Sequence, residues 1–222
     1  MAKRFIIAID GPAGSGKSTV GKLLAKRLRV LYLDSGAIYR AVALLCMRKK
    51  IDFLSQKEIL NVIRDSGVQI KSDKVFLAGS DVSNQIRSQE VTRKTFYIAS
   101  SALAREKIVQ LERQIVGKRS AVVEGRDTGT IVFPDAAVKI YLEAAPSERA
   151  KRRCKELHTK SAAVSLKQVR AEIEKRDKSD ASREVGPLIL ARDGIVVDTS
   201  NLTIEQVVDK LEKIVREKIR GL

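Results

Sequence analysis

The stretch FIIAIDGPAGSGKSTVGKLLAKRLR, residues 5–29, constrains this chain more than any other. FIIAID (5–10) is a continuous apolar run closing on an aspartate, and GKSTVGKLLAKRLR (16–29) repeats Val20, Leu23, Leu24 and Leu28 at helical spacing. Between the two, GPAGSGKS (11–18) fits the pattern G-x-x-x-x-G-K-[ST]. Such a turn directs backbone N–H groups inward around phosphate oxygens, and Gly11 and Gly16 permit conformations and close approach that a side chain forbids. The loop expected to hold a nucleoside triphosphate is Gly11, Pro12, Ala13, Gly14, Ser15, Gly16, Lys17, Ser18 and Thr19. Lys17 is expected to reach the β- and γ-phosphates and Ser18 a Mg²⁺ ion, making a nucleoside triphosphate and Mg²⁺ the expected ligands. A glycine-rich turn without a ligand is the alternative.

The rest of the chain continues the alternation. VLYLD (30–34), AVVEG (121–125), AVKIYLEA (137–144) and GIVVDTS (194–200) read as buried strands. AIYRAVALLCMRKK (37–50), PSERAKRRCKEL (146–157), SLKQVRAEIEKRD (165–177) and TIEQVVDKLEKIVREKIR (203–220) read as helices. Buried strands alternating with helices argue an α/β sandwich with a largely parallel sheet, because crossover helices must cover both of its faces. VQIKSDKVFLAGSDVS (68–83) breaks the alternation with a hairpin around Lys71-Ser72-Asp73-Lys74. Residues from about 62 to 96 therefore read as a small inserted β-containing subdomain.

A phosphate loop specifies a nucleoside triphosphate and leaves the second substrate open. LDSGAIYR (33–40) repeats the strand-to-helix geometry, with Ser35 and Gly36 making the turn and Ser35 and Tyr39 on one helical face beside Arg40. These groups suit a molecule with hydrogen-bonding edges and a phosphate; the alternative is Ser35 as a helix cap and Tyr39 in the core. EGRDTGTIVFPDA (124–136) sets Arg126 and Asp127 just past a buried strand, where open α/β sheets bind ligands, unless the two form a structural ion pair. Arg149, Arg152 and Arg153 lie along one helix, and KRDKSDASREVGPL (175–188) adds Arg176, Asp177, Asp180 and Arg183. Runs of this kind are usually solvated helix faces. The polar HTKSAAV between them reads as a mobile loop, with the lone His158 facing solvent rather than acting in catalysis.

The arginines gain meaning from one reaction. A phosphate monoester has a second pKa of about 6, so as acceptor it is already ionised at neutral pH and needs no general base. The obstacle is bringing two polyanions together. Lys17, a metal ion and several arginines would offset that repulsion and stabilise the transferring phosphoryl group. Arginine suits the task because its planar fork binds phosphate through two parallel bonds.

GPAGSGKSTVGK, LDSGAIYRAVAL, SNQIRSQEV, EGRDTGTIVFPDAAVKIYLEA and the RD-x-x-D-x-x-R-x-x-x-PL run ending in VVDTS together resemble the bacterial cytidylate kinases, over essentially the whole chain. The resemblance implies a P-loop three-layer sandwich with a parallel central sheet. Its core would be 1–61, 97–157 and 178–222, with a monophosphate-binding insert at about 62–96 and a short lid at about 158–177. It implies ATP-dependent, Mg²⁺-assisted phosphorylation of CMP and dCMP by direct in-line transfer, in a cytoplasmic monomer. By resemblance, Ser35 and Asp127 recognise the cytosine edge and Arg105 reaches the base. Tyr39 lines the acceptor site, Arg40 and Arg126 hold the monophosphate, and Asp180 and Arg183 bind the sugar. Arg149, Arg153 and Arg176 are implied as lid arginines that act in catalysis with Lys17 and Arg126. The chain departs from the pattern at Thr95-Phe96-Tyr97, where a small serine is expected, and at Leu103, Gly186 and Ile189-Leu190.

Composition bounds the alternatives. Lys and Arg number 43 against 27 acidic residues, a formal charge of +16, so the surface attracts anions of some kind. With 4% aromatic residues and no Trp, stacking platforms for single-stranded nucleic acid are few, and no specific nucleic-acid partner is expected. Asp127 and Asp180 also disfavour a nucleic-acid groove, whose backbone they would repel. The competing reading within enzymes is a kinase for another nucleoside monophosphate or phosphorylated metabolite. Cys46 and Cys154 fall in separate helical runs and read as free thiols of a reducing compartment. No apolar stretch approaches the roughly 20 residues of a membrane span, and the start runs straight into a strand, so a soluble protein is expected.

Overall fold

The computed structural model describes residues 4–71, 73–158 and 165–219. The chain forms two compact units, Met1–Val30 with Ser120–Leu222, and Leu31–Arg119.

The first unit opens with β1 (Ile6–Asp10), the phosphate loop and α1 (Lys17–Leu28). All five residues of β1 are buried, which explains why the strand reads as an unbroken apolar run. The second unit starts with β2 (Leu31–Asp34) and α2 (Ser35–Arg48), then α3 (Gln56–Arg64). Strands β3 (Gln69–Lys71), β4 (Lys74–Leu77) and β5 (Ser80–Asp81) form a small antiparallel sheet, with Lys71 paired to Lys74 across the hairpin expected from the sequence. Helices α4 (Gln89–Ser100) and α5 (Ala102–Val116) complete the unit; α2 packs on α4 and α3 on α5.

The chain then returns to the first unit through β6 (Ala121–Gly125), β7 (Val138–Glu143), α6 (Pro146–His158), α7 (Leu166–Ala181), β8 (Ile195–Asp198) and α8 (Ile204–Lys218). Within this unit the strands lie in the order β6-β1-β7-β8, and every neighbouring pair is parallel. Helix α1 packs on β6 and α8, while Ala150 and Cys154 of α6 meet Val169 and Ile173 of α7 in an apolar seam. Cys46 and Cys154 are both buried free thiols. The parallel α/β architecture expected from the sequence is thus realised.

Two boundaries differ from the sequence reading. Helix α2 begins at Ser35 instead of after a Ser35-Gly36 turn, because Asp34 itself is the N-cap: its Oδ1 accepts the Ala37 N–H at 2.9 Å. Ser35 is therefore not the cap. Helix α7 runs on to Ala181 and carries Asp180 into its last turn. The capping box of Ser165 and Gln168 sets its start. The expected loop at 159–164 and the side chain of His158 lie outside the described residues.

The parallel register brings Asp10, Gly125 and Tyr141 level with one another. The carboxyl ends of these strands, where open parallel sheets bind ligands, carry the residues described next.

Candidate active site

The phosphate loop owes its shape to two glycines. Gly11 sits at φ 149°, and a Cβ there would lie 2.1 Å from the backbone oxygen of Leu142, so no side chain fits. Gly16 adopts the left-handed region at φ 95° and precedes α1 without any side-chain cap. No side chain therefore caps the first N–H groups of α1, which suits them to an anion. Lys17 is buried, and its Nζ donates to Pro12 O at 2.7 Å and to Ser15 Oγ at 3.3 Å. Burial first, and then the Arg126 charge, pull the ammonium down to about 7, while Glu124 and Asp10 oppose the shift. Ser18 Oγ donates to Glu124 Oε1 at 2.5 Å, and Thr19 is exposed.

Groups from the later helices brace this loop. Asp177 Oδ1 accepts the Ala13 N–H at 3.1 Å, and Oδ2 pairs with Arg149 Nη1. Arg149 is buried; its Nη1 also donates to Ala13 O and its Nε to Ala144 O, each at 3.0 Å. Arg152 donates to the hydroxyl and carbonyl oxygens of Thr199 at 3.0 and 2.6 Å. Arg153 instead lies at the surface, donating to Glu156 at 2.8 Å.

A second cluster surrounds Asp180. Arg126 Nε donates to Asp180 Oδ2 at 2.7 Å, Arg183 Nη2 pairs with Oδ1, and Arg176 Nε stands 4.0 Å from Oδ2. Burial alone would raise the Asp180 carboxyl, but the charges of Arg126, Arg183 and Arg176 outweigh it and hold the group below the ordinary carboxylate range. Desolvation works against the Arg126 cation, yet Asp180 keeps it raised. Arg126 thus makes an ion pair with Asp180, 54 residues away. Asp127 is buried at the start of a π-type turn over Thr128–Val132.

In the second unit, Ser35 and Tyr39 are buried on α2, and the Arg105 guanidinium carbon lies 5.4 Å from the centre of the Tyr39 ring. Arg105 Nη1 donates to Ala99 O at 3.2 Å. Arg40 and Arg87 converge on one oxygen of Asp34, at 2.8 and 3.2 Å. Two guanidinium groups on a single carboxylate oxygen make a fork suited to an anion. Phe96 and Tyr97 are exposed, with Tyr97 5.7 Å from the Phe53 ring and Lys94 over both of those rings.

The model of the family described as cytidylate kinase matches residues 7–217. The chain belongs to the cytidylate kinase family. The cytidylate kinase of Lactobacillus johnsonii is 43% identical over 216 residues, covering 96% of this chain and 94% of its own. That of Clostridium acetobutylicum is also 43% identical over 216 residues, covering 97% of this chain and all of its own. A protein of solved structure from Thermus thermophilus shares the fold at 16% identity, with a TM-score of 0.52 over 99% of this chain and 100% of its own.

For this cytidylate kinase family member, the structure adds groups to which the sequence reading gave no role. Glu124 sits with Ser18, Asp10 faces the turn after β6, Asp177 braces the phosphate loop, and Arg87 joins Arg40 at Asp34. Asp10 and Glu124 did carry a signal: each is an acidic residue at the carboxyl end of an otherwise apolar strand. Asp177 and Arg87 lie in ordinary charge runs, and only tertiary contacts single them out.

Proposed function

We propose that this chain transfers the γ-phosphoryl group of ATP directly to CMP and dCMP. The observation that carries this reading, beyond family membership, is the concentration of cations around the phosphate loop's own unit: buried Lys17 feels the charges of both Arg126 and Arg176, and Asp180 organises Arg126 and Arg183. Two polyanionic substrates carry about six negative charges between them when fully ionised. The Lys17 ammonium and the arginines lower that repulsion and stabilise the equatorial oxygens of the group in flight. The acceptor oxygen is ionised without help, so no side chain needs to take a proton.

Roles divide by chemistry. Ser35 and the Asp127 carboxylate accept from the cytosine amino group, while Arg105 donates to its ring acceptors. Uracil reverses the exocyclic group and would leave buried partners unpaired. Tyr39 lines the acceptor, Arg40 and Arg126 hold its phosphate, joined by Arg87 in this reading, and Asp180 and Arg183 take the sugar. Residues 62–96 serve as the acceptor-side insert. A lid at about 158–177, of which 159–164 lie outside the described residues, excludes water on closing in this reading, and Arg149, Arg153 and Arg176 meet the phosphates as it closes.

Ser18 and Glu124 offer adjacent hard oxygen donors that fit Mg²⁺, which takes one or two protein oxygens and keeps several waters. Among the described residues no larger cluster of His, Cys, Asp or Glu competes for a metal. When bound there, Mg²⁺ neutralises phosphate charge. No helix among the described residues is long and apolar enough to cross a membrane. A cytoplasmic monomer is part of the proposal and rests on the family resemblance.

ADP release from ATP should be measured with CMP, dCMP, UMP, AMP and GMP as acceptors. The reading expects CMP and dCMP to be used best; AMP or GMP exceeding them would assign the chain to another monophosphate.

A further inference from the structure

We propose that Asp10 is a positioning residue for the acceptor, acting through the turn that carries Arg126 and Asp127. This inference rests on the CMP-kinase reading. Asp10 ends β1 and is buried, and its carboxylate takes three hydrogen bonds of 2.8 Å: from Thr128 N–H and Thr128 Oγ–H at Oδ1, and from Gly129 N–H at Oδ2. All three donors directly follow Asp127. The turn is closed from its other side by the Ile131 and Val132 N–H groups, which donate to Asp127 O at 2.8 and 3.1 Å. Gly129 lets it lie against the sheet: a Cβ there would come within 3.2 Å of Lys139 and 3.4 Å of Ala8.

A carboxylate suits this place because it accepts at both oxygens, which an amide cannot do. Burying an anion is costly unless it is hydrogen-bonded, and here three donors supply the compensation. Burial still pushes the Asp10 carboxyl up, against the Gly129 and Thr128 hydrogen bonds, with the Asp127 charge adding to the rise. The same residue precedes Gly11, so β1 delivers the phosphate loop from its end and anchors the Asp127 turn through its last side chain.

The test compares Thr128→Val, Thr128→Ser and Asp10→Asn by steady-state kinetics with ATP and CMP, and by amide exchange at positions 128 and 129. Thr128→Val removes one donor far in sequence from the phosphate loop. It should raise KM for CMP roughly tenfold with KM for ATP unchanged, and Thr128→Ser should restore it. Asp10→Asn turns an amino group toward one of the N–H donors and should act in the same direction more strongly. Unchanged CMP kinetics in Thr128→Val, or equal losses for ATP and CMP, would overturn the proposal. Should Asp10→Asn fail to fold, the Thr128 pair decides. If the unsubstituted protein does not phosphorylate CMP, the functional reading fails. The anchor is then judged by exchange at Thr128 and Gly129, which Thr128→Val should accelerate; unaltered exchange would overturn it too.

Discussion

Arg126 Nε and Asp180 Oδ2 meet at 2.7 Å, joining the turn after β6 to the last turn of α7. Asp180 is almost wholly buried, with 3% of its side chain exposed, and Arg126 has 17%. A charge pair this enclosed contributes through what its loss leaves behind: a largely buried cation without its paired carboxylate. Asp180→Ala should therefore destabilise the protein by about 3–5 kcal/mol, read from denaturant unfolding. Asp180→Asn should cost less, since its amide oxygen still accepts.

The same carboxylate predicts an acid limb. Its folded pKa lies below the unfolded value, so its stabilisation is complete above about pH 4 and is lost as pH falls further. Unfolding free energies measured from pH 5 to pH 2 should fall more steeply for the unsubstituted protein than for Asp180→Asn. Parallel curves would show that the pair contributes nothing there.

Lys17 predicts the opposite kind of dependence. Its ammonium is pulled down to about 7 from 10.5, so between those values the folded protein binds fewer protons than the unfolded chain, and stability should rise with pH across that window. A polyphosphate favours the charged form. ATP binding at pH 8 should accordingly take up protons, visible as a buffer-dependent binding enthalpy, and affinity should weaken as pH climbs past 7. Lys17→Met should lose the proton uptake.

Gly11 and Gly67 separate two meanings of a glycine. A Cβ at Gly11 would overlap the Leu142 backbone, whereas Gly67, at φ 57°, has open space around it. Gly67→Ala should cost only about 1–2 kcal/mol of backbone strain. Gly11→Ala should abolish ATP binding altogether, since the clashing atom belongs to β7 and cannot swing aside. Equilibrium binding of ATP to both variants checks this.

Asp177 is expected to act on the donor side. Asp177→Ala releases both the Ala13 N–H and Arg149 from a charged partner, each bond being worth about 1.5–3 kcal/mol in general. KM for ATP should rise at least roughly tenfold, with KM for CMP changing little. A larger effect on CMP would move Asp177 to the acceptor.

The sequence disclosed the fold because its signals are local. Residues 5–29 hold a buried strand, two conformationally demanding glycines and a periodic helix in unbroken succession, and each strand of the parallel sheet is apolar throughout or nearly so. The helix starts at Ser35, earlier than its spacing predicts, because Asp34 serves both as strand end and as cap, which local spacing cannot separate. The site was legible where a motif carries it, as at Lys17 and Ser18. It was not legible where charge partners are far apart in the chain: Arg126 finds Asp180 and Ala13 finds Asp177 only after α7 has packed. The bonds of Arg149 to Ala13 O and Ala144 O likewise have no local signal and are seen only in the folded unit.

The central claim is direct transfer between two anions without a base or a covalent intermediate. A single turnover with γ-labelled ATP, Mg²⁺ and CMP, quenched in acid at successive times, tests it most directly. The label should pass from ATP to CDP, with no labelled protein at any time and little inorganic phosphate. Label trapped on the protein before CDP appears, or released as phosphate at the same rate without CMP, would contradict it.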